Sequence, residues 1–189
     1  EDNLYDSIAK RYTKALARSM ANTKQIKAAN VLNNGFNSSF PGGDGKELFA
    51  TDHPTVSAGS LKNELSTSAD LSETSLEQAM IDIAAFKDER GLKIAARGLK
   101  LIIPSELQFT AERILKSPAR VGTSDNDLNA LSSKGMLPQG YVVNNFLTDT
   151  DAFFIKTDVP NGMKMFNRAA IKTAMEGDFD TGNMRYKAR

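Results

Sequence analysis

From Leu4 to about Leu32 the sequence holds neither glycine nor proline, and it predicts one uninterrupted helix. The helix stops at Asn33-Asn34-Gly35 and the chain runs into Pro41-Gly42-Gly43-Asp44-Gly45-Lys46. A helix of roughly 30 residues spans about 45 Å. That is too long to be buried inside a 189-residue globule. It has to lie across a sheet or along a neighbouring subunit, which points to a building block rather than a pocketed enzyme.

The first part of this helix carries Tyr5, Ile8, Tyr12, Leu16 and Met20 at spacings of three and four, an apolar stripe. Lys10, Arg11, Lys14, Arg18, Lys24 and Lys27 occupy the other faces, while its acids, Glu1, Asp2 and Asp6, stand at the start. That order suits the helix dipole. After Met20 the stripe passes to Ile26, Ala29 and Leu32 on a rotated face, so the helix is expected to change packing partner along its length.

Gly35 to Leu71 reads as loop-rich, broken by Pro41, Pro54 and several glycines, with Leu48-Phe49-Ala50 as a short strand. So long an irregular stretch is unusual within one compact domain and is expected to contact neighbours in part. Thr74 and Glu77 predict a capping box for a second helix. Its apolar face is Leu76, Met80, Ile83 and Ala84, and Gly91 is expected to end it as a left-handed cap. Leu99 to Ile103 reads as a central strand stopped by Pro104. Ser105 then opens a third helix with Leu107, Ala111, Ile114 and Leu115 on one face, closed by Ser117-Pro118. Val121 to Gln139 is polar and turn-rich. Gly140–Val143 and Ala152–Lys156 are strand-like, and Gly177–Lys187 reads as a closing strand.

No chemistry stands out. A net charge of +1 selects neither nucleic acid nor membrane as a partner of the whole chain. No run of 18 apolar residues exists to span a bilayer, and the start lacks the basic and apolar segments of a signal peptide. A chain opening on Glu1 rather than Met is expected to have a processed or partial N-terminus. The absence of cysteine excludes disulfides, thiolate zinc sites and cysteine nucleophiles, and it fits cytosolic production. His53 is the one histidine. Beside Asp52 it is a candidate base or ligand, although no second His or Cys completes a zinc site. The plainer reading of Thr51-Asp52-His53-Pro54 is a turn.

Gly42 to Lys46 resembles a phosphate loop only superficially. Phe40 stands where a Walker loop needs glycine, and Glu47 where it needs Ser or Thr. Asp125-Asn126-Asp127-Leu128-Asn129 resembles the opening of a calcium loop, but Ala130 and Met136 replace the required Gly and Glu. Six Lys and Arg on an exposed helix usually form a solvated face, and any nucleic-acid contact there would be to phosphates. There is no nucleophile elbow and no dinucleotide fingerprint. No residue is therefore assigned a catalytic, cofactor-binding or metal-binding role.

Taken in order, the segments resemble the major capsid proteins of tailed phages with the HK97-like fold, including Mu-like major head subunits. Ala28-Ala29-Asn30-Val31-Leu32-Asn33-Asn34 is similar to the end of that family's spine helix. Gly43-Asp44-Gly45-Lys46 falls where many members have a Gly-Asp-Gly turn. Ile102-Ile103-Pro104-Ser105-Glu106-Leu107 resembles the strand–proline–helix unit of the axial domain, and Met175 to Arg189 resembles a phage head-subunit ending.

The resemblance implies an α+β chain with a long spine helix, a peripheral-domain sheet and an inserted axial domain. Residues 1–54 and 147–189 would be peripheral and 55–146 axial, with Val121 to Leu137 near the axis of a capsomer. It also implies copies of the chain in pentamers and hexamers, forming an icosahedral phage head around double-stranded DNA held without sequence specificity. Scaffold, portal and decoration proteins would be further partners, with no membrane partner. The location would be the virion, after assembly in the host bacterial cytoplasm. The family's N-terminal arm and extended hairpin precede the spine helix, and Arg189 falls inside an expected strand, so the chain is expected to be a piece of a longer subunit. Three alternatives stay open: a shell of the same fold enclosing protein cargo, an enzyme using His53 and Asp52, and a nucleic-acid binder using the basic helix through Lys14, Arg18 and Lys24.

Overall fold

A computed structural model describes residues 2–120, 127–177, 179–180, 182 and 184–189, leaving out the side chains of 2–7, 9–10 and 184. The described residues mix helices and strands, an α+β chain. By packing it divides into two compact units, residues 1–28 with 163–189, and residues 29–162. The long helix, α1 (Asp2–Asn33), matches its expected bounds and passes through the division between Ala28 and Ala29.

Residues 29–162 hold a three-stranded sheet in the order β4-β3-β5: β3 (Gly98–Ile103), β4 (Tyr141–Val143) and β5 (Phe154–Thr157). β3 is central, as its apolar run requires, with Leu101 and Ile103 fully buried. β4 runs parallel to it and β5 antiparallel. A parallel neighbour needs a crossover. Here a 3₁₀ turn (Ser105–Leu107), α3 (Gln108–Lys116) and α4 (Ala130–Ser133) provide it. Pro104 ends β3 and α3 buries Ala111 and Ile114 on the expected face.

The second helix, α2 (Glu73–Ala84), buries Leu76 and Ile83 and packs Met80 on the core, whereas Ala84 is exposed. Gly98 marks its close approach to the sheet. A Cβ there would lie 2.8 Å from Met80 Sδ and 3.1 Å from Ile155 Cγ2. The core joins Leu71, Leu76, Leu101, Ile103, Ala111, Ile114, Leu131 and Leu137.

Three local expectations are corrected here. The capping box of α2 is Ser72 with Ser75, not Thr74 with Glu77. Ser75 Oγ also donates to the Asp70 carbonyl at 2.8 Å, which anchors the helix start further upstream. Gly91 does have a positive φ of 85°, but it serves the turn after Asp88, since α2 already ends at Ala84. Leu48–Ala50 forms no strand. Asn63 satisfies its backbone instead, with Oδ1 accepting from Ala50 N at 2.9 Å and Nδ2 donating to Leu48 O at 2.7 Å. The ladder of this region is β1 (His53–Pro54) with β2 (Ser60–Leu61).

Residues 1–28 and 163–189 hold the rest of the correction. In place of one closing strand there is an antiparallel hairpin, β6 (Thr173–Gly177) with β7 (Met184–Ala188). Lys24 Nζ donates to Asn167 Oδ1 at 3.2 Å. Of Val121 to Leu137, residues 121–126 lie outside the described residues, and so do Asp125 and Asn126 of the calcium-like stretch. Among the described residues no helix is long and apolar enough to cross a membrane.

Candidate assembly surfaces

The turn around His53 is built from short-range polar contacts. Gly42 N donates to Lys46 O at 2.6 Å, Gly45 N to Gly42 O at 3.2 Å and Lys46 N to Asp44 Oδ1 at 3.1 Å. Backbone donors that a phosphate loop would aim at a ligand are used within the turn itself. Gly45 has a φ of 80°, which its residue type permits without strain.

His53 does not pair with Asp52, as the enzyme alternative needs. Its Nδ1 lies 2.6 Å from Asp44 Oδ2 and its Nε2 3.2 Å from Asn63 Oδ1, while Asp52 bonds Lys46 Nζ. The His53 contact, then the Lys46 backbone N–H, hold the Asp44 carboxyl below its ordinary value. The Asp52 contact holds the Lys46 ammonium above its own. Both nitrogens of the ring are engaged in clasping residues 42–63. Among the described residues no group of three or more His, Asp and Glu could hold a metal ion.

The calcium-like stretch serves packing as well. Asn129 is fully buried, its Oδ1 accepting from Leu131 N and Ser132 N at the start of α4. Its Nδ2 donates to Ile114 O at 2.6 Å, tying α4 to the end of α3.

Exposed apolar surface stands out among the described residues. Among the described residues of 1–28 and 163–189 none is buried. Of the predicted stripe, Ile8 and Tyr12 are exposed and Leu16 and Met20 half-buried. Phe166 is 86% exposed and Phe179 100%, with Met163, Met165 and Met175 also in the open. Ala29 and Leu32, on the rotated face, are buried within residues 29–162. Ordinary monomers leave single apolar residues exposed, but not a whole unit of them.

Residues 29–162 contain a cleft of about 730 Å³. Its lining includes Phe36, Phe49 and Phe154, whose ring centroids lie 5.0, 5.3 and 6.0 Å apart. Six carboxylates also line it, Glu47, Glu64, Asp70, Asp82, Asp149 and Asp151, and no Lys or Arg does. Of the six only Asp82 has an ion-pair partner among the described residues, Lys62 Nζ at 2.9 Å. Burial, then the neighbouring Glu47, raises the Glu64 carboxyl above its ordinary value. Gly35 and Asn33 shape this end of α1. Asn33 Nδ2 donates to Phe146 O at 3.1 Å, and its Oδ1 accepts from Thr148 N at 3.1 Å.

Sequence reasoning located neither the cleft nor Asn33's clamp, because both join segments more than 100 positions apart. The division of charge was open to counting. Residues 1–28 and 163–189 carry twelve Lys and Arg against six Asp and Glu, and residues 29–162 carry twelve against seventeen. The near-neutral total conceals a basic unit and an acidic one.

The model of a family described as phage capsid protein matches residues 1–189, the whole chain. No curated protein and no solved structure matches it.

Proposed function

The chain belongs to the phage capsid protein family, and from that premise we propose that it is the major capsid subunit of a tailed phage, with the HK97-like fold. Membership itself gives a structural role in the virion and self-association into a shell. A structural family also argues against an enzyme, as does the separation of His53 from Asp52 into different pairs. The finer reading is an icosahedral head enclosing double-stranded DNA, assembled in the host cytoplasm from pentamers and hexamers with scaffold, portal and decoration proteins. In it α1 is the spine helix. Residues 1–54 and 147–189 are peripheral and 55–146 axial, with β5 as the strand by which the C-terminal part enters the sheet.

The observation that carries this reading is the lack of any buried residue among those described in 1–28 and 163–189. A two-stranded hairpin and a helix whose apolar stripe is at most half-buried cannot offset their own ordering entropy. Neighbouring copies supply the missing cover in a shell. Closed head-to-tail rings provide such contacts at every subunit.

Electron microscopy of the full-length protein, purified gently with its scaffold, tests the proposal. Ring capsomers or closed icosahedral particles are the expected result. A dispersed monomer under every condition overturns it.

A further inference from the structure

We propose that the aromatic-lined cleft of residues 29–162 receives the segment Met163-Lys164-Met165-Phe166-Asn167-Arg168 of a second copy of the chain. The inference rests on the shell reading and names one contact through which copies hold each other. Two surfaces of opposite character support it. The cleft is lined by Phe36, Phe49 and Phe154 and by six carboxylates, of which Asp82 is already paired with Lys62. The segment combines three apolar residues, Met163, Met165 and Phe166, with two basic ones, Lys164 and Arg168, and all of 163–168 is exposed. Met and Phe side chains suit an aromatic lining, the thioether making favourable contacts with ring edges. Lys164 and Arg168 are opposite in sign to the carboxylates.

The same complementarity holds at larger scale, between a unit with six excess positive charges and one with five excess negative ones. Carboxylates gathered along one cleft repel one another; the Glu64 carboxyl is raised first by burial and then by the neighbouring Glu47. A basic segment relieves that repulsion while its Met and Phe residues leave water. Opposite fields also steer encounter and suppress like-with-like contacts. A contact between two different surfaces is head-to-tail, the type that closes rings.

Because the chain has no cysteine, introduced thiols report the contact without background. Phe166→Cys with Ala152→Cys, Ala152 lining the cleft, is assembled and then oxidised. Covalent dimers and longer ladders on a non-reducing gel are the expected result. A link formed only within single chains, no link in well-formed particles, or capture of a different virion protein by Ala152→Cys alone each overturns the proposal.

Charge reversal gives a second arm that needs no thiol. Lys164→Glu with Arg168→Glu should raise the subunit concentration needed for assembly at least about tenfold. Combining it with Asp149→Lys and Asp151→Lys should restore assembly. Unchanged assembly of the first variant, or no recovery in the second, contradicts the pairing. If wild-type protein assembles and these arms fail, only the pairing falls. If wild-type protein never assembles, the shell reading falls and takes the pairing with it.

Discussion

Asn129 shows how a polar side chain can be fully buried and still hold the core together. Its amide oxygen caps α4 and its amide nitrogen reaches the end of α3. Asn129→Ala removes a cap and leaves the Ile114 carbonyl without that donor, and should cost about 2–3 kcal/mol in denaturant titrations. Asn129→Ser keeps a capping oxygen and should recover about 1 kcal/mol of the loss. Gly35 answers to packing rather than to backbone freedom. A Cβ there would lie 2.5 Å from the Phe49 ring and 3.0 Å from the Leu32 carbonyl oxygen. Gly35→Ala should therefore destabilise by about 1–3 kcal/mol on the same measurement. The Asp44 carboxyl sets an acid limit. A carboxylate depressed by folding stabilises above its ordinary value of 3.8, and that contribution is lost as pH falls through the folded value. Melting temperature followed from pH 6 to about 2.5 should fall less steeply in Asp44→Asn than in the natural protein.

At the scale of elements, α2 distinguishes the two candidate caps. Ser72→Ala should cost about 1 kcal/mol. Thr74→Ala, at an exposed position inside the helix, should stay within about 0.5 kcal/mol. Equal losses in the two variants would contradict the observed cap. The misplacement has a physical source: Ser72, Thr74 and Ser75 all have capping chemistry, and the choice rests on Ser75 reaching back to Asp70. Elements with a strong local signal were legible in the sequence. The run without breakers gave α1, Leu99–Ile103 gave the central strand, and Pro104 with the Ala111 and Ile114 spacing gave α3. What local signal could not supply was partnership. Leu48–Ala50 has strand composition, but an asparagine side chain takes the place of a partner strand. His53 sits next to Asp52 in sequence, yet its partner is Asp44, nine positions away. The proposed assembly surface was half legible: the apolar stripe and basic face of α1 follow from its period, whereas the cleft depends on bringing Phe36, Phe49 and Phe154 together across the chain.

At the scale of the whole molecule the chain is unevenly finished. Every buried core residue among those described lies in residues 29–162, and the remaining unit has none. The charge is as unevenly divided as the core. A capsid family offers both features a common cause, since it implies self-association into a shell. On the proposed reading assembly completes the fold of 1–28 and 163–189, and their stability is then inseparable from subunit concentration. Amide hydrogen exchange, read peptide by peptide on dispersed subunits and on assembled particles of the full-length protein, tests this most directly. Peptides from 2–28 and 163–189 should exchange quickly in dispersed subunits and become at least about a hundredfold slower in particles, while the sheet of β3, β4 and β5 is protected in both. Equal protection of those peptides in the dispersed subunit would contradict the account.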